Sequence, residues 1–353
     1  MHLSPTDNHR YLMSQMTPTL RFDGGDVDRW RTRLRLSLRR LLGDTPGERC
    51  DLRPRRLWMR DHPLGTIEKV VFSSEPHADV PAYVCLPRDA APPYPLFICL
   101  QGHSTGMHNS IAVQREDETQ PCHVEGDRDF AIGCMQRGIA ALCIEQRSLG
   151  ERIEKKQAHV CSHNSCHDAF VQALMLGRTL LGERVFDVDR AIDYLATRSD
   201  VDMSRIAVMG NSGGGTTSIY AAATLRRISF AMPSCAFCTF RESKMALYHC
   251  SCGYLPGILK YADMADVLGL FAPQPVVVVA GHDDKIIPLP GVQNAFRQLK
   301  RIYRAMGAEE RCHLVVGSEG HRFYADDAWP VMLKEIKRSQ RTKASSRRPE
   351  SRG

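Results

Sequence analysis

The stretch Ile206-Ala207-Val208-Met209-Gly210-Asn211-Ser212-Gly213-Gly214-Gly215-Thr216-Thr217 constrains this chain more than any other. A β-rich run enters it, a Gly-x-Ser-x-Gly turn follows, and a segment of helical character, Gly213 to Leu225, leaves it. A serine on such a turn is held above a sheet edge, and flanking glycines let strand and helix approach without Cβ clashes. The helix that starts there aims backbone N–H groups and its positive dipole end at the same spot, which favours an oxyanion. The plainer alternative is a glycine-rich βα turn packed on a neighbour. A phosphate loop fails: no lysine follows the glycines, and Gly210, Gly213 and Gly215 are not spaced as Gly-x-Gly-x-x-Gly.

The text around this turn alternates in kind. Ile67 to Ser73, Val80 to Leu86 and Pro95 to Leu100 are short β-rich runs, the first two hairpin-like. Strand-like Ile139 to Ile144, Arg205 to Met209, Ile228 to Met232, Pro275 to Ala280 and Arg311 to Val316 then alternate with helical Phe170 to Thr197, Leu289 to Met306 and His321 to Ser339. This order predicts an α/β fold whose mostly parallel sheet, of about eight strands, carries helices on both faces. We expect an N-terminal helical extension over 1–65, with an amphipathic helix from Trp30 to Leu42, a single catalytic domain over 66–336, and a basic disordered tail over 337–353. Residues 237–270, rich in Cys, Tyr and Gly, fit a small lid or pocket wall.

A serine hydroxyl is a poor nucleophile until a base takes its proton, and that base is usually a histidine oriented by a carboxylate. Two later strand ends supply such groups. Val276-Val277-Val278-Val279-Ala280 runs into Gly281-His282-Asp283-Asp284-Lys285-Ile286-Ile287-Pro288, and the last strand into Gly317-Ser318-Glu319-Gly320-His321. The order Ser212, Asp283 or Asp284, His321 is the one this architecture uses. Singly, each acid could cap the next helix and His321 could be a surface histidine; three matches at strand ends argue against coincidence.

With these residues in view the chain resembles the α/β-hydrolase fold superfamily, in the branch of dienelactone hydrolases, acetyl xylan esterases and prolyl-oligopeptidase-like enzymes. The resemblance runs from Ile67 to Ala328. It implies Asp284 as the acid, with Asp283 as fallback, because in that branch the acid precedes an apolar pair and a proline, as in Asp284-Lys285-Ile286-Ile287-Pro288. It also implies a first oxyanion donor in Gln101-Gly102-His103-Ser104-Thr105-Gly106, the backbone N–H of His103, with Gly213 N–H as the second. Gln101 stands where the family usually has histidine, and Glu145 and Ser148 stand where Asp and Gly are commoner in a "D-x-R-G-x-G" element. The expected activity is cofactor-free serine hydrolysis of a small-acyl carboxylic ester. A peptidase or thioesterase with the same triad, a non-catalytic hydrolase-fold binding protein and a metal-dependent hydrolase are the alternatives.

Of the formal charge of +7, a net +6 lies in 337–353, so the body is near neutral and no nucleic-acid partner is expected. No apolar run approaches a membrane span, and the first ten residues have no signal-peptide core, which leaves cytosol as the expected compartment. Thirteen cysteines, some inside strand-like runs such as Val84-Cys85-Leu86, read as buried thiols of a reducing compartment rather than a disulfide framework. Cys161-Ser162-His163-Asn164-Ser165-Cys166-His167, Cys235-Ala236-Phe237-Cys238 and Cys250-Ser251-Cys252 hold many soft ligands. The first lacks a second ligand pair at zinc-site spacing, so these segments are read as pocket lining, with no metal. Glu145, Arg147 and Arg152 could grip an anion, but a network that pins their loop is the preferred role. Met245 to Tyr261 reads as apolar packing.

Overall fold

The computed structural model describes residues 3–44, 49–154 and 166–346. Nine strands form one sheet: β1 (Arg55–His62), β2 (Gly65–Glu75), β3 (Ala78–Pro87), β4 (Tyr94–Leu100), β5 (Ala140–Ile144), β6 (Val201–Asn211), β7 (Phe230–Ser234), β8 (Val276–Gly281) and β9 (Cys312–Gly317). Their order is β1-β2-β3-β5-β4-β6-β7-β8-β9. β1, β2 and β3 pair antiparallel, β3 meets β5 antiparallel, and every pairing from β5 to β9 is parallel. Antiparallel strands need only tight turns, whereas parallel ones need crossovers, which the helices provide.

Alternation along the strands explains why both faces are covered. Leu96, Ile98 and Leu100 of β4 and Val276 and Val278 of β8 belong to one buried cluster, while Phe97, Cys99, Val277 and Val279 belong to another. The first face is packed by α2 (Val27–Leu42), α5 (Leu180–Leu195), α6 (Gly213–Thr224), α7 (Met264–Gly269) and α8 (Leu289–Ala305). The second is packed by α3 (Phe130–Met135) and α9 (Ala325–Ser346). In α2 the stripe Trp30, Leu34, Leu38 and Leu42 is buried, the Asp26 carboxylate caps the N–H groups of Asp28 and Arg29, and Gly43 ends the helix. Each of those buried leucines contributes about 1.5–3 kcal/mol relative to exposure. A further helix, α1 (Pro5–Gln15), has no buried residue.

The structure departs from the sequence expectations in three places. The described residues form nine strands, not about eight, because Arg55–His62, with Arg55, Arg56, Arg60 and Asp61, joins as an edge strand whose charges suit an exposed rim. The helix expected over Phe170 to Thr197 is two helices, α4 (Cys166–Met175) and α5, broken where Gly177 takes φ 73° and Thr179 caps the N–H of Gly182. The last helix continues to Ser346, so the front of the segment expected to be disordered is helical; its Lys, Arg, Gln and Ala residues favour helix and no Gly or Pro interrupts them there. The end of that segment, residues 347–353, lies outside the described residues.

Parallel strands deliver their carboxyl ends to one edge. The strand order reverses on either side of β4, and a crevice at such a reversal is where open α/β sheets bind ligands.

Candidate active site

Ser212 sits between β6 and α6 with φ 57° and ψ −117°, a conformation that costs a non-glycine residue of order 1–3 kcal/mol. It is held from below: the Ser212 N–H donates to Ser234 O at 2.9 Å, and the Ser234 hydroxyl to Asn211 Oδ1 at 2.9 Å. A Cβ on Gly214 would lie 2.0 Å from Leu100 O, so β4 and α6 can close on the turn only if that position is glycine. The first N–H groups of α6 have no intrahelical acceptor and lie beside the serine.

His321 and Asp284 come from the loops after β9 and β8. Asp284 Oδ2 lies 2.7 Å from His321 Nδ1, and Asp284 Oδ1 accepts the N–H groups of Ile286 and Ile287 at 2.9 and 3.0 Å. Burial alone would raise the Asp284 carboxyl, but the hydrogen bond and charge of His321 and those two N–H groups outweigh it and hold it below the usual range. Asp283 points elsewhere: it is exposed and meets His282 Nδ1 at 2.7 Å.

The loop after β4 lies against the serine turn. A Cβ on Gly102 would stand 2.9 Å from Asn211 O, and one on Gly213 would stand 2.9 Å from His103 Cε1. The Gln101 side-chain amide donates to Ser110 Oγ at 2.8 Å and Arg128 O at 2.7 Å, so this loop is anchored without the family's usual histidine. Gln146 Nε2 donates to Gln101 O at 2.5 Å. Glu145 is a clamp: its carboxylate accepts the N–H groups of Met107 at 3.2 Å and Glu151 at 3.1 Å, joining the loops after β4 and β5. Burial pushes Glu145 up to about 7 against those bonds.

Arg147 and Arg152 are committed to structure. Both bind the buried Asp187, Arg147 through Nε and Nη2 at 2.9 Å and Arg152 through Nη1 at 2.7 Å, and Arg147 also holds Glu75 and Glu183. Burial opposes the Asp187 charge, but the two guanidinium groups hold its carboxyl far below the usual range.

Ser212, Gly213, His103 and His321 open into one cavity of about 1120 Å³. Its wall from residues 244 to 253 includes Lys244 and His249. Burial, with the charges of Lys244 and His321, drives His249 down to about 4, and its buried Nε2 has no hydrogen-bond partner among the described residues. Burial also lowers Lys244. Sequence reasoning missed both as site residues, because nothing local distinguishes a lysine aimed inward from the solvated majority. Of the cluster 161–167, Cys161 to Ser165 lie outside the described residues. Cys166 opens α4 near Cys250 and Cys252, and these three thiols with His103 are the soft donors that could hold a metal here.

A strand order of this kind, a strained serine between strand and helix, and an acid–histidine pair after the next parallel strands define an α/β-hydrolase. The chain belongs to the Abhydrolase family, whose sequence model matches residues 14–314. YtaP of Bacillus subtilis (strain 168), assigned as a hydrolase, is 25% identical over 301 residues, 82% of this chain and 94% of YtaP. Among solved structures, BF1801 of Bacteroides fragilis NCTC 9343, assigned as an acetyl xylan esterase, matches with a TM-score of 0.75 at 16% identity, over 94% of this chain and 84% of its own. The glucuronoyl esterase of Solibacter usitatus matches with a TM-score of 0.67 at 17% identity, over 92% of this chain and 97% of its own. At these identities the structural likeness is one of fold.

Proposed function

We propose that the protein is a serine hydrolase that cleaves a small-acyl carboxylic ester carried by a larger alcohol, through an acyl-enzyme. The observation that carries this reading is one cavity shared by Ser212 and His321, with Asp284 bound to the far nitrogen of the same imidazole. Asp284 accepting from Nδ1–H leaves Nε2 as the base, the tautomer a serine nucleophile needs. Ser212 Oγ attacks the carbonyl while His321 takes its proton. The proton passes to the departing alcohol, and water, deprotonated by the same imidazole, then releases the acid and restores the serine. Backbone N–H groups of His103 and Gly213 hold the developing oxyanion. A cavity of about 1120 Å³ is large for an acetyl group alone, which supports a bulky alcohol. The acetyl xylan esterase among the structural relatives acts, by its name, on a small acyl group borne by a carbohydrate, which supports a sugar as that alcohol.

No described helix is long and apolar enough to cross a membrane. We keep a reducing cytosol as the compartment, supported by the free thiols of Cys85, Cys99 and Cys143 buried inside the core.

The test is Ser212→Ala against p-nitrophenyl esters of increasing acyl length and an acetylated xylo-oligosaccharide. The expected result is fastest turnover on the shortest acyl groups in the parent protein and loss of at least ~10⁴-fold in the variant. Undiminished hydrolysis by a folded Ser212→Ala protein contradicts the reading.

A further inference from the structure

The cavity contains a second set of reactive side chains that the hydrolytic mechanism leaves unused. His103 Nδ1 or Nε2 and the Sγ atoms of Cys166, Cys250 and Cys252 all lie within 4.8 Å of one another, with His103 Nε2 3.0 Å from Cys252 Sγ. They arrive from three separate places: the loop after β4, the first residue of α4, and the turn between β7 and α7. That is why the linear spacing 103, 166, 250, 252 hides the set, and why no second ligand pair is visible near Cys166 in the sequence.

We propose that these four residues form a Cys₃His site for a zinc ion that ties the pocket wall to the loop beside Ser212. The chemistry of the donors selects the metal. Three sulfurs and one imidazole suit zinc, whereas magnesium and calcium require oxygen ligands. Tetrahedral zinc with Zn–S of about 2.3 Å and Zn–N of about 2.0 Å needs donors about 3.5–3.8 Å apart. A set already gathered within 4.8 Å reaches that by small side-chain adjustments. Four protein ligands leave no position for water, so the ion is structural and the hydrolytic step stays with the serine.

The surroundings fit a thiolate-rich ion. Zinc with three thiolates and a neutral imidazole carries one net negative charge, and Arg184 Nη2 already donates to Cys166 Sγ at 3.3 Å from a fully buried position. Arg184 is fixed in turn by donating through Nε and Nη2 to Arg147 O at 3.1 and 2.7 Å. Leu149 and Leu180 pack around Cys166 and Cys252 and keep the sulfurs dry. Binding displaces the thiol protons.

The consequence for the reaction rests on the proposed function: an ion on the His103 ring fixes the residue whose backbone N–H faces the oxyanion. The existence of the site does not rest on it, and its test needs no ester turnover. The full chain, without a histidine tag, is produced in zinc-supplemented medium, dialysed under reducing conditions against metal-free buffer, and analysed for metal by mass spectrometry. The expected result is about one zinc per chain, set free when the thiols are titrated with an organomercurial. Cys252→Ser and Cys250→Ser each lower zinc retention by more than about tenfold, while Cys122→Ser, outside the cluster, leaves it unchanged. Should the cluster variants fail to fold, cobalt(II) added to the metal-free parent protein reads the same ligands, through thiolate-to-cobalt charge transfer and tetrahedral d–d bands. Protein that takes up neither zinc nor cobalt overturns the proposal. So does zinc that survives Cys252→Ser, and so does a disulfide between two of the three cysteines in metal-free protein as isolated.

Discussion

Replacing Asp284 by asparagine isolates what the carboxylate does. The asparagine Oδ1 still accepts the Ile286 and Ile287 N–H groups, which now bond to Asp284 at 2.9 and 3.0 Å, so the loop keeps its anchor. What changes is the 2.7 Å contact to His321 Nδ1, where a donor NH₂ replaces an acceptor oxygen. The imidazole then presents Nδ1 as acceptor and Nε2 as N–H, the wrong tautomer to take the serine proton. One charge-assisted bond lost costs about 1.5–3 kcal/mol of stability. The same change costs ~10⁴-fold in kcat, or about 5 kcal/mol of barrier. The assay is kcat on p-nitrophenyl acetate for Asp284→Asn and Asp283→Asn, with urea unfolding of both. The expected outcome is collapse of kcat in Asp284→Asn alone, with cooperative unfolding retained in each. A folded Asp284→Asn enzyme within tenfold of the parent, or a larger loss in Asp283→Asn, refutes the assignment of the acid.

Two further outcomes concern the scaffold. Asp187→Ala leaves the half-buried Arg152 with Glu145 O as its side-chain partner among the described residues and strips one partner from Arg147, so urea unfolding should show a loss of about 3–5 kcal/mol. Because the Asp187 carboxyl is depressed in the folded state, that contribution is present above the unfolded carboxylate range near pH 4 and is lost progressively as pH falls from there toward the far lower folded value, so the variant and parent should converge in strong acid. Glu145 has the opposite sign. Its folded value near 7 exceeds the unfolded one, the native state binds more protons between about pH 4.5 and 7, and stability drains by about 3 kcal/mol as pH rises through that window. Glu145→Gln should remove this slope from the difference between variant and parent unfolding curves; an unchanged slope places the titrating group elsewhere.

The parts of this molecule legible in its sequence are those built from local pattern. The serine turn could be read because strand, turn and helix occupy twelve consecutive residues, Ile206 to Thr217, and strain at one serine needs glycines at fixed offsets. The loops of Asp284 and His321 could be read because each follows an apolar run, but choosing Asp284 over Asp283 took a family resemblance, and geometry separates them by which side chain meets His321. The pinning of the loop after β5 was also expected, and the Arg147–Asp187–Arg152 cluster is its form. What stayed hidden depends on distant chain segments. β1 was obscured because its charged residues mask the alternation of an edge strand. Gly177 broke a helix that periodicity carried straight through. Lys244, His249 and the meeting of Cys166 with Cys250 and Cys252 depend on how the segment after β7 folds back over the sheet edge, which no local spacing encodes.

The most direct measurement of the central claim is intact-mass analysis of the purified full chain after treatment with a fluorophosphonate, followed by peptide mapping. A single adduct is expected, located on Ser212 and absent from the Ser212→Ala protein. Folded protein that hydrolyses esters yet takes up no adduct, or takes it up at another residue, contradicts it.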